Sequence, residues 1–324
     1  MAQNTRFDAD NANVFSYGNL TQTTDLSSKP DYAIVGVPFD IRTTYRPGTR
    51  FGPKAVREAF CRDSYSEAFG IDTADYVKGI DYGDLPMWNQ ERAYLGLIPD
   101  EIAKISGAGV VPVVIGGDHA IAFPELMGYK QTYGPVSVIH FDSHTDTWGS
   151  ETDKVHHDHA TPFRRAIEYG CMDAEHSIQV GMRGGLRDKS DFDFADSHGL
   201  THVSAVELHH MGMEKAAEMI RAKVEGRKVF VTFDIDFVDP AYAPGTGTPV
   251  PGGFTSRETL ELLRHTLPGL DIVGFDLVEV APNYDNAAIT AMLASAVIQE
   301  FITTLAMRKA GITTYERKGM RLHE

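Results

Sequence analysis

Three motifs in the sequence combine an apolar run with aspartate and histidine, side chains that commonly bind metal ions. They are VVIGGDH at 113–119, VIHFDSHTD at 138–146 and VFVTFDIDFVDP at 229–240. The candidate metal ligands in these motifs are His119, Asp142, His144, Asp146, Asp234 and Asp236. In an extended chain, residues two apart point to the same side, so the spacing within the second and third motifs predicts side chains aimed at a common point.

A single aspartate or histidine at the end of a strand is usually a helix cap or a structural hydrogen-bonding group. A converging set differs, because its carboxylates repel one another unless cations neutralise them or their pKa values rise steeply. The set is larger than a tetrahedral zinc site requires and includes no cysteine, which favours Mn²⁺ or a similar divalent ion at paired centres. Two metals that share carboxylates can hold a bridging water and lower its pKa, so the set predicts hydrolysis.

The elements that must position these residues are visible as short apolar runs ending in polar or glycine-bearing turns, a pattern typical of parallel strands buried on both faces. The runs cover 32–37, 111–115, 136–141, 178–180, 229–233 and 272–277. Helical patterns lie between them, over 53–60 and over 213–224, where Gly226 provides a stop. Thr255 and Glu258 form a capping-box pattern before a further helix.

This alternation predicts an α/β fold of three layers, with helices on both faces of a central, mostly parallel sheet and ligands at the carboxyl ends of its strands. No linker or repeat divides the sequence, so we expect one domain over 1–324, with 1–30 as an N-terminal extension. The segment 287–307 is apolar and alanine-rich, but Gln299 and Glu300 interrupt it. A packed C-terminal helix is therefore favoured over a membrane span.

The composition is that of a globular chain, with 42% hydrophobic and 23% charged residues among 324. The net charge of −15 argues against nucleic acid or an anionic membrane as partner and permits a cationic substrate. The N-terminus lacks the basic start and apolar run of a secretory signal, and the two cysteines, Cys61 and Cys171, form no CxxC pair. We therefore expect a cytoplasmic protein.

The sequence resembles the ureohydrolases, a family that includes arginase, agmatinase and guanidinobutyrase. The motifs that carry the resemblance are GGDH at 116–119, DSHTD at 142–146 and DIDFVDPAYAPGTGTP at 234–249. Further similarity covers GVPFDIRTTYRPGTRFGPKAVREA at 36–59, HATPFRRA at 159–166 and VEVAPNYD at 278–285. These further stretches are more similar to the agmatinase branch than to arginase proper. The resemblance implies an arginase- and deacetylase-like fold and a homo-oligomer, commonly a trimer or hexamer.

The resemblance also implies how the candidate ligands are used. One divalent metal ion would be held by His119 and Asp146, and the other by His144 and Asp236. Asp142 and Asp234 would bridge the two ions. Mn²⁺ is favoured, and the same ligands would accept Ni²⁺ or Co²⁺.

For the substrate, the resemblance implies three catalytic or binding residues. Glu279 would bind a guanidinium group through charge-assisted hydrogen bonds, Asp146 would pass a proton to the leaving amine, and His159 would shuttle protons. Relatives usually have His-Gly where this sequence has His159-Ala160, and a glycine there would permit an unusual backbone angle. The neighbouring His156 and His157 are weaker candidates, and the segment 148–158 is expected to border the substrate tail.

The implied reaction is attack of a metal-bridging hydroxide on the guanidinium carbon, with release of urea. Agmatine, giving putrescine and urea, is the favoured substrate. The alternatives are 4-guanidinobutyrate, 3-guanidinopropionate, and free or N-substituted guanidines or biguanides. A deacetylase-like hydrolase with one zinc is a competing function, but the second ligand set is complete. A silent subunit of a mixed assembly is another, but no ligand is lost.

Overall fold

The computed structural model describes residues 16–59, 64–149, 157–184 and 190–316. Its centre is a sheet of eight strands in the order β4-β1-β5-β10-β9-β6-β7-β8, in which every neighbouring pair is parallel. A short antiparallel ribbon of β2 and β3 lies apart from it. The strands are β1 (Tyr32–Gly36), β2 (Tyr65–Ser66), β3 (Ile71–Asp72), β4 (Gly79–Asp84), β5 (Val111–Ile115), β6 (Ser137–Phe141), β7 (Ile178–Met182), β8 (Thr201–Ser204), β9 (Lys228–Asp234) and β10 (Asp271–Val278).

Helices cover both faces of this sheet. They are α1 (Gly52–Glu58), α2 (Gln90–Leu95), α3 (Leu97–Gly107), α4 (Ala122–Tyr133), α5 (Pro162–Glu168), α6 (Ser190–Ser197), α7 (Ala205–Met211), α8 (Met213–Lys223), α9 (Ser256–Thr266) and α10 (Ile289–Ala310). Helices α2 to α5 contact one another in sequence, and α7 to α10 do the same, with α1 against α10. These two groups form the outer layers of the three-layer fold.

The apolar residues of the central strands alternate between two cores, as the pleat requires. In β5, Val113 and Ile115 belong to the core beneath α1 and α8 to α10, whereas Val114 belongs to the core beneath α3 and α4. Both faces of a central strand are therefore apolar. This double burial explains why the sequence shows continuous apolar runs at these strands.

The fold class and the strands expected from the apolar runs are confirmed. The sequence did not indicate β4 or β8, the two edge strands, whose register contains polar residues such as Asp81 and His202. The helix expected over 53–60 begins one residue earlier and ends at Glu58, and the capping box at Thr255 and Glu258 forms as expected. Of the N-terminal extension, residues 16–30 are described, and Gln22 pairs with Asp81 of β4.

The C-terminal helix packs inside the protein. By length and composition alone α10 could cross a membrane. However, 72% of an apolar stretch of 18 residues within it is buried inside the rest of the structure. It begins at Ile289 rather than at 287, because Ala287 and Ala288 both have left-handed backbone angles. The expectation of a packed core helix is confirmed.

A close contact between β10 and α4 gives a test of how tightly the layers pack. A methyl group at Gly274 in β10 would overlap the ring and hydroxyl of Tyr129, which is fully buried. We expect Gly274→Ala to lower the free energy of unfolding by about 1–3 kcal/mol, because the core must shift to admit the methyl. Denaturant unfolding measured by circular dichroism checks this value.

The matched control is Gly107→Ala at the end of α3, where a methyl group would meet no atom within 4 Å. Its stability should be unchanged or raised by up to about 1 kcal/mol. Equal stability of the two alanine variants would contradict the tight contact at Gly274.

Candidate metal centre and active site

The candidate site lies at the carboxyl ends of four adjacent strands. Strands β5 and β6 follow one another in the sequence, but β10 and β9 lie between them in the sheet. The residues that follow these four parallel strands therefore meet at one edge of the sheet. His119 follows β5, Asp142 follows β6, Asp234 ends β9 and Glu279 follows β10. This arrangement places the site at the point where parallel α/β sheets usually bind ligands.

The side chains converge by a different local geometry from the one the spacing suggested. The extended backbone expected at these positions is wrong, since β9 ends at Asp234 and Asp236 lies in a short 3-10 turn. Each of Asp142 and Asp234 instead accepts a hydrogen bond from the backbone N–H two residues later. The His144 N–H donates to Asp142 at 2.6 Å, and the Asp236 N–H donates to Asp234 at 2.8 Å. Asp118 forms the same turn after β5. A carboxylate that caps its own turn holds the next ligand at a fixed angle.

The first group of candidate ligands surrounds His119. Its Nδ1 lies 3.0 Å from an oxygen of Asp142, 3.0 Å from one of Asp146 and 3.3 Å from one of Asp234. This buried Nδ1 has no hydrogen-bond partner, whereas Nε2 lies 2.8 Å from the Thr232 hydroxyl. A histidine with one nitrogen on a hydroxyl and an unpartnered nitrogen among carboxylates fits a metal ion.

The second group lies around His144. Its Nδ1 is 3.0 Å from Asp236 and 3.4 Å from the other oxygen of Asp142. Asp142 therefore presents one oxygen to each histidine, which fits the bridging position. The N–H and hydroxyl of Ser143 both donate to Asp236 and fix its orientation, at 3.1 and 2.7 Å. Asp234 lies 3.3 Å from His119 Nδ1 in the first group but meets the second group through the backbone N–H of Asp236, so its bridging role stays a prediction.

Charge crowding at this edge is severe. Burial, together with the charges of Asp236 and Asp142, raises the pKa of Asp234 well above its usual range. Burial also raises the pKa values of Asp146 and Asp236. Burial opposes ionisation of Asp142 as well, but its neighbouring histidines hold its pKa well below the usual range. Divalent cations would allow all of these carboxylates to ionise together.

Sequence analysis did not single out His140, although its position inside a buried strand is unusual for a polar residue. His140 Nε2 lies 2.7 Å from Asp142, and its Nδ1 lies 3.0 Å from the amide nitrogen of Gln179. That amide also donates to the Thr145 carbonyl, so it is a donor on both sides. Nδ1 must accept, and Nε2–H therefore donates to Asp142. His140 lies close enough to the first group to bind a metal ion. Because both of its nitrogens are already hydrogen-bonded, its role is instead to orient Asp142.

Glu279 is held rigidly at the end of β10. Its backbone has φ = 64°, which is uncommon for a residue with a side chain, and its N–H donates to the Gly117 carbonyl at 2.9 Å. One carboxylate oxygen accepts the His119 N–H at 2.9 Å and also lies 2.8 Å from His159 Nδ1. The other, Oε2, is buried without a partner.

The free Glu279 oxygen belongs to a small cavity. Its volume is about 60 Å³, and its walls include Glu279, His159, His144, Asp146, Asp234 and Trp148. An adjoining cavity of about 140 Å³ shares His144 and Trp148 and is also lined by Met182 and Phe192. The Arg183 guanidinium at its edge donates to backbone carbonyls, which include those of Asp236 and Val250. A planar cation that reached Glu279 would lie beside both groups of candidate ligands.

The structure also bears on the remaining candidates near residue 159. His159 is 7% exposed and lies against Glu279, and Ala160 lines the cavity without a left-handed backbone angle. The glycine usual in relatives is thus not required by backbone conformation here. His157 stacks on Phe123 instead, with ring centroids 5.4 Å apart. His156, and most of the segment expected to border the substrate tail, lie outside the described residues.

Comparison with known proteins agrees with this geometry. The family model described as "Arginase family" matches residues 30–303. Guanidinobutyrase of Pseudomonas aeruginosa is 38% identical over 282 residues, which cover 85% of this chain and 86% of that protein. Agmatinase of Chromobacterium violaceum is 35% identical over 309 residues, covering 93% and 92%.

A solved structure has the same fold. The crystal structure of a hypothetical agmatinase from Burkholderia thailandensis superposes with a TM-score of 0.83 at 37% identity, covering 92% of each chain. The resemblance to ureohydrolases and their agmatinase-like members is thus confirmed, as is the arginase-like α/β sheet. A family match across most of the chain, two close relatives of nearly equal length and a shared fold lead to one conclusion: this chain belongs to the arginase family of amidinohydrolases.

Proposed function

We propose that this family member releases urea from a small cationic guanidine compound, with agmatine as the first candidate. The observation that carries the proposal is the unpartnered Oε2 of Glu279, a buried carboxylate oxygen in the same cavity as the candidate metal ligands. A guanidinium group presents paired N–H donors that such an oxygen can accept. Leaving that oxygen unpaired is unfavourable, so the site favours a cationic donor.

The metal assignment follows the two groups of ligands. We infer that His119 and Asp146 would hold one divalent ion, that His144 and Asp236 would hold the other, and that Asp142 and Asp234 would be shared between the two positions. The unpartnered Nδ1 of His119 supports the first position. Two bound ions would lower the pKa of water and supply hydroxide near neutral pH. The nitrogen and oxygen ligands favour Mn²⁺ and are compatible with Ni²⁺ or Co²⁺.

The side chains divide the remaining work. Glu279 orients the guanidinium, and the His119 N–H and His159 that share its other oxygen keep it in place. Asp146 lies beside the first group, where it can pass a proton to the departing amine. His159 lines the cavity and moves protons between it and the solvent.

The substrate tail distinguishes the possible substrates. Guanidinobutyrase and agmatinase are both close relatives, and those names imply tails that end in a carboxylate and in an amine, respectively. The adjoining cavity beside Trp148 gives a tail room to extend. Agmatine, 4-guanidinobutyrate, 3-guanidinopropionate, free or N-substituted guanidines and biguanides should therefore be compared in one screen of urea release with each metal. Purified protein that is active alone would exclude a silent subunit.

Three further expectations complete the proposal. The protein acts in the cytoplasm, forms a homo-oligomer of three or six copies, and binds neither nucleic acid nor membrane. The net charge of −15 supports the last point, since both partners favour a basic surface.

The first prediction of this proposal concerns the metals. Protein treated with a chelator should lose activity and regain it with Mn²⁺ or a similar divalent ion, and active protein should contain two ions per chain by elemental analysis. Asp142→Asn should lower occupancy of both positions and reduce activity by at least about a hundredfold, because Asp142 faces both histidines. The exposed Asp75→Asn is the matched control. Full activity with one zinc per chain would contradict two metal positions.

The second prediction separates substrate recognition from metal binding. Glu279→Gln should reduce kcat/KM by roughly thirtyfold to several thousandfold, since losing one partner of a buried charged pair typically costs about 2–5 kcal/mol. Its metal content should be unchanged, because Glu279 contacts a ligand only through the His119 backbone. Steady-state kinetics and elemental analysis provide both values.

Glu218→Gln, on the exposed side of α8, is the isosteric control for the second prediction and should leave both values unchanged. A metal-depleted Glu279→Gln would place Glu279 among the metal ligands. A fully active Glu279→Gln would remove it from guanidinium recognition.

The third prediction concerns assembly. Light scattering under active conditions should give a mass near three or six times 35.7 kDa. A monomer with full activity would contradict it.

A further inference from the structure

The imidazole of His159 is engaged at both nitrogens, and each contact has a different kind of partner. Nδ1 lies 2.8 Å from a Glu279 oxygen, which can only accept when it is ionised. Nε2 lies 3.0 Å from the backbone nitrogen of Thr44 and 2.6 Å from the Thr44 hydroxyl. The ring therefore connects the guanidinium anchor on one side to a single residue on the other.

These contacts define two protonation states. A backbone N–H can only donate, so the neutral ring carries its hydrogen on Nδ1 and accepts from Thr44 at Nε2. In the charged ring, Nε2–H instead donates to the Thr44 hydroxyl oxygen, which can act as donor or acceptor. The hydroxyl is thus the contact of Nε2 that serves both states.

Thr44 also spans the boundary between the cavity and the solvent. His159 is buried at 7% exposure, while Thr44 is exposed and lines the same cavity. The loop that carries Thr44 is fixed on both sides. The Arg42 N–H donates to Asp118 at 3.0 Å, and the Arg46 guanidinium donates to the carbonyls of Thr246 and Gly247.

We propose that the Thr44 hydroxyl relays protons between His159 and bulk solvent, a positioning and transfer role that rests on the function proposed above. In one transfer, Nε2–H of the charged ring gives its proton to the hydroxyl oxygen as that hydroxyl releases its own hydrogen to a solvent water. The neutral ring remains, one proton has reached the solvent, and Thr44 is unchanged. The reverse sequence recharges the ring.

The charged groups around His159 favour the protonated ring. Burial opposes the charged imidazole, but Glu279, Asp118 and Asp146 outweigh it and raise the pKa of His159 to about 9. Because the charged ring holds its proton strongly, transfer from Nε2 requires an acceptor close by. The Thr44 hydroxyl oxygen lies 2.6 Å from His159 Nε2 and can accept the proton. A guanidinium cation bound at Glu279 would offset part of the negative charge, and so favour release of the proton.

The test compares Thr44→Val with Thr44→Ser. Valine keeps the shape and the backbone N–H but removes the hydroxyl, whereas serine keeps the hydroxyl. At low buffer concentration, Thr44→Val should lower kcat roughly tenfold or more with little change in KM, since general acid–base transfer typically contributes about 10²–10⁴-fold. Imidazole or another small buffer should restore much of this loss, and Thr44→Ser should restore it without added buffer. Metal content should match wild type in both variants.

A second measurement does not depend on turnover. Nitrogen-15 NMR of labelled histidine should show the Nδ1–H tautomer for neutral His159 in wild type and in Thr44→Val, because the backbone N–H remains. Tyr45→Phe, which removes an exposed hydroxyl from the next residue, is the control for both measurements. Its kcat at low buffer concentration and its His159 tautomer should match those of wild type.

The outcomes distinguish this inference from the function it rests on. If wild-type protein released no urea from any guanidine compound, the proposed function itself would fail. If wild type were active and Thr44→Val matched it at low buffer, the relay would be overturned. A loss in Thr44→Val that buffer did not restore and that Thr44→Ser shared would assign Thr44 a purely structural role and also overturn the relay.

Discussion

Electrostatic repulsion among buried carboxylates is the constraint that organises this protein. Asp142, Asp234 and Asp236 are each at most 2% exposed and face the same small region at the sheet edge. In a medium of low dielectric constant such charges repel strongly, and burial adds to the cost of ionising them. Two histidines offset only part of this charge. The arrangement fits a family whose members use a binuclear divalent metal centre, because bound cations turn the repulsion into attraction.

A rigid backbone holds these carboxylates close together. Asp142 directly follows β6 and Asp234 ends β9, and both cap their own turns, so their positions follow from the sheet. Asp146 and Glu279 have left-handed backbone angles that cost roughly 1–3 kcal/mol each, and hydrogen bonds to Phe163 and Gly117 hold them there. The site thus has little freedom to relax. A preorganised set of ligands is what a metal centre requires.

Behind the ligands lies a layer of buried polar side chains that connects them to the core. His140 donates to Asp142, and Thr232 contacts His119 on its far side. Asp276 accepts the Phe233 N–H at 3.2 Å, and burial raises the pKa of Asp276 to about 6. Thr44, Trp148 and Ala160 complete the walls of the cavity on the side away from this layer's residues, which do not line it, apart from His119.

The sequence by itself determined the fold class, most central strands and the candidate ligands, because continuous apolar runs report double burial and metal-binding residue types stand out at their ends. It suggested neither edge strand, since polar residues there hide the pattern. Only the tertiary structure decided that His140 faces Asp142, that Glu279 keeps one oxygen free and that Thr44 reaches His159, 115 residues away. Those contacts depend on which strands are neighbours and how their loops turn, and local sequence does not encode distances between residues far apart in the chain.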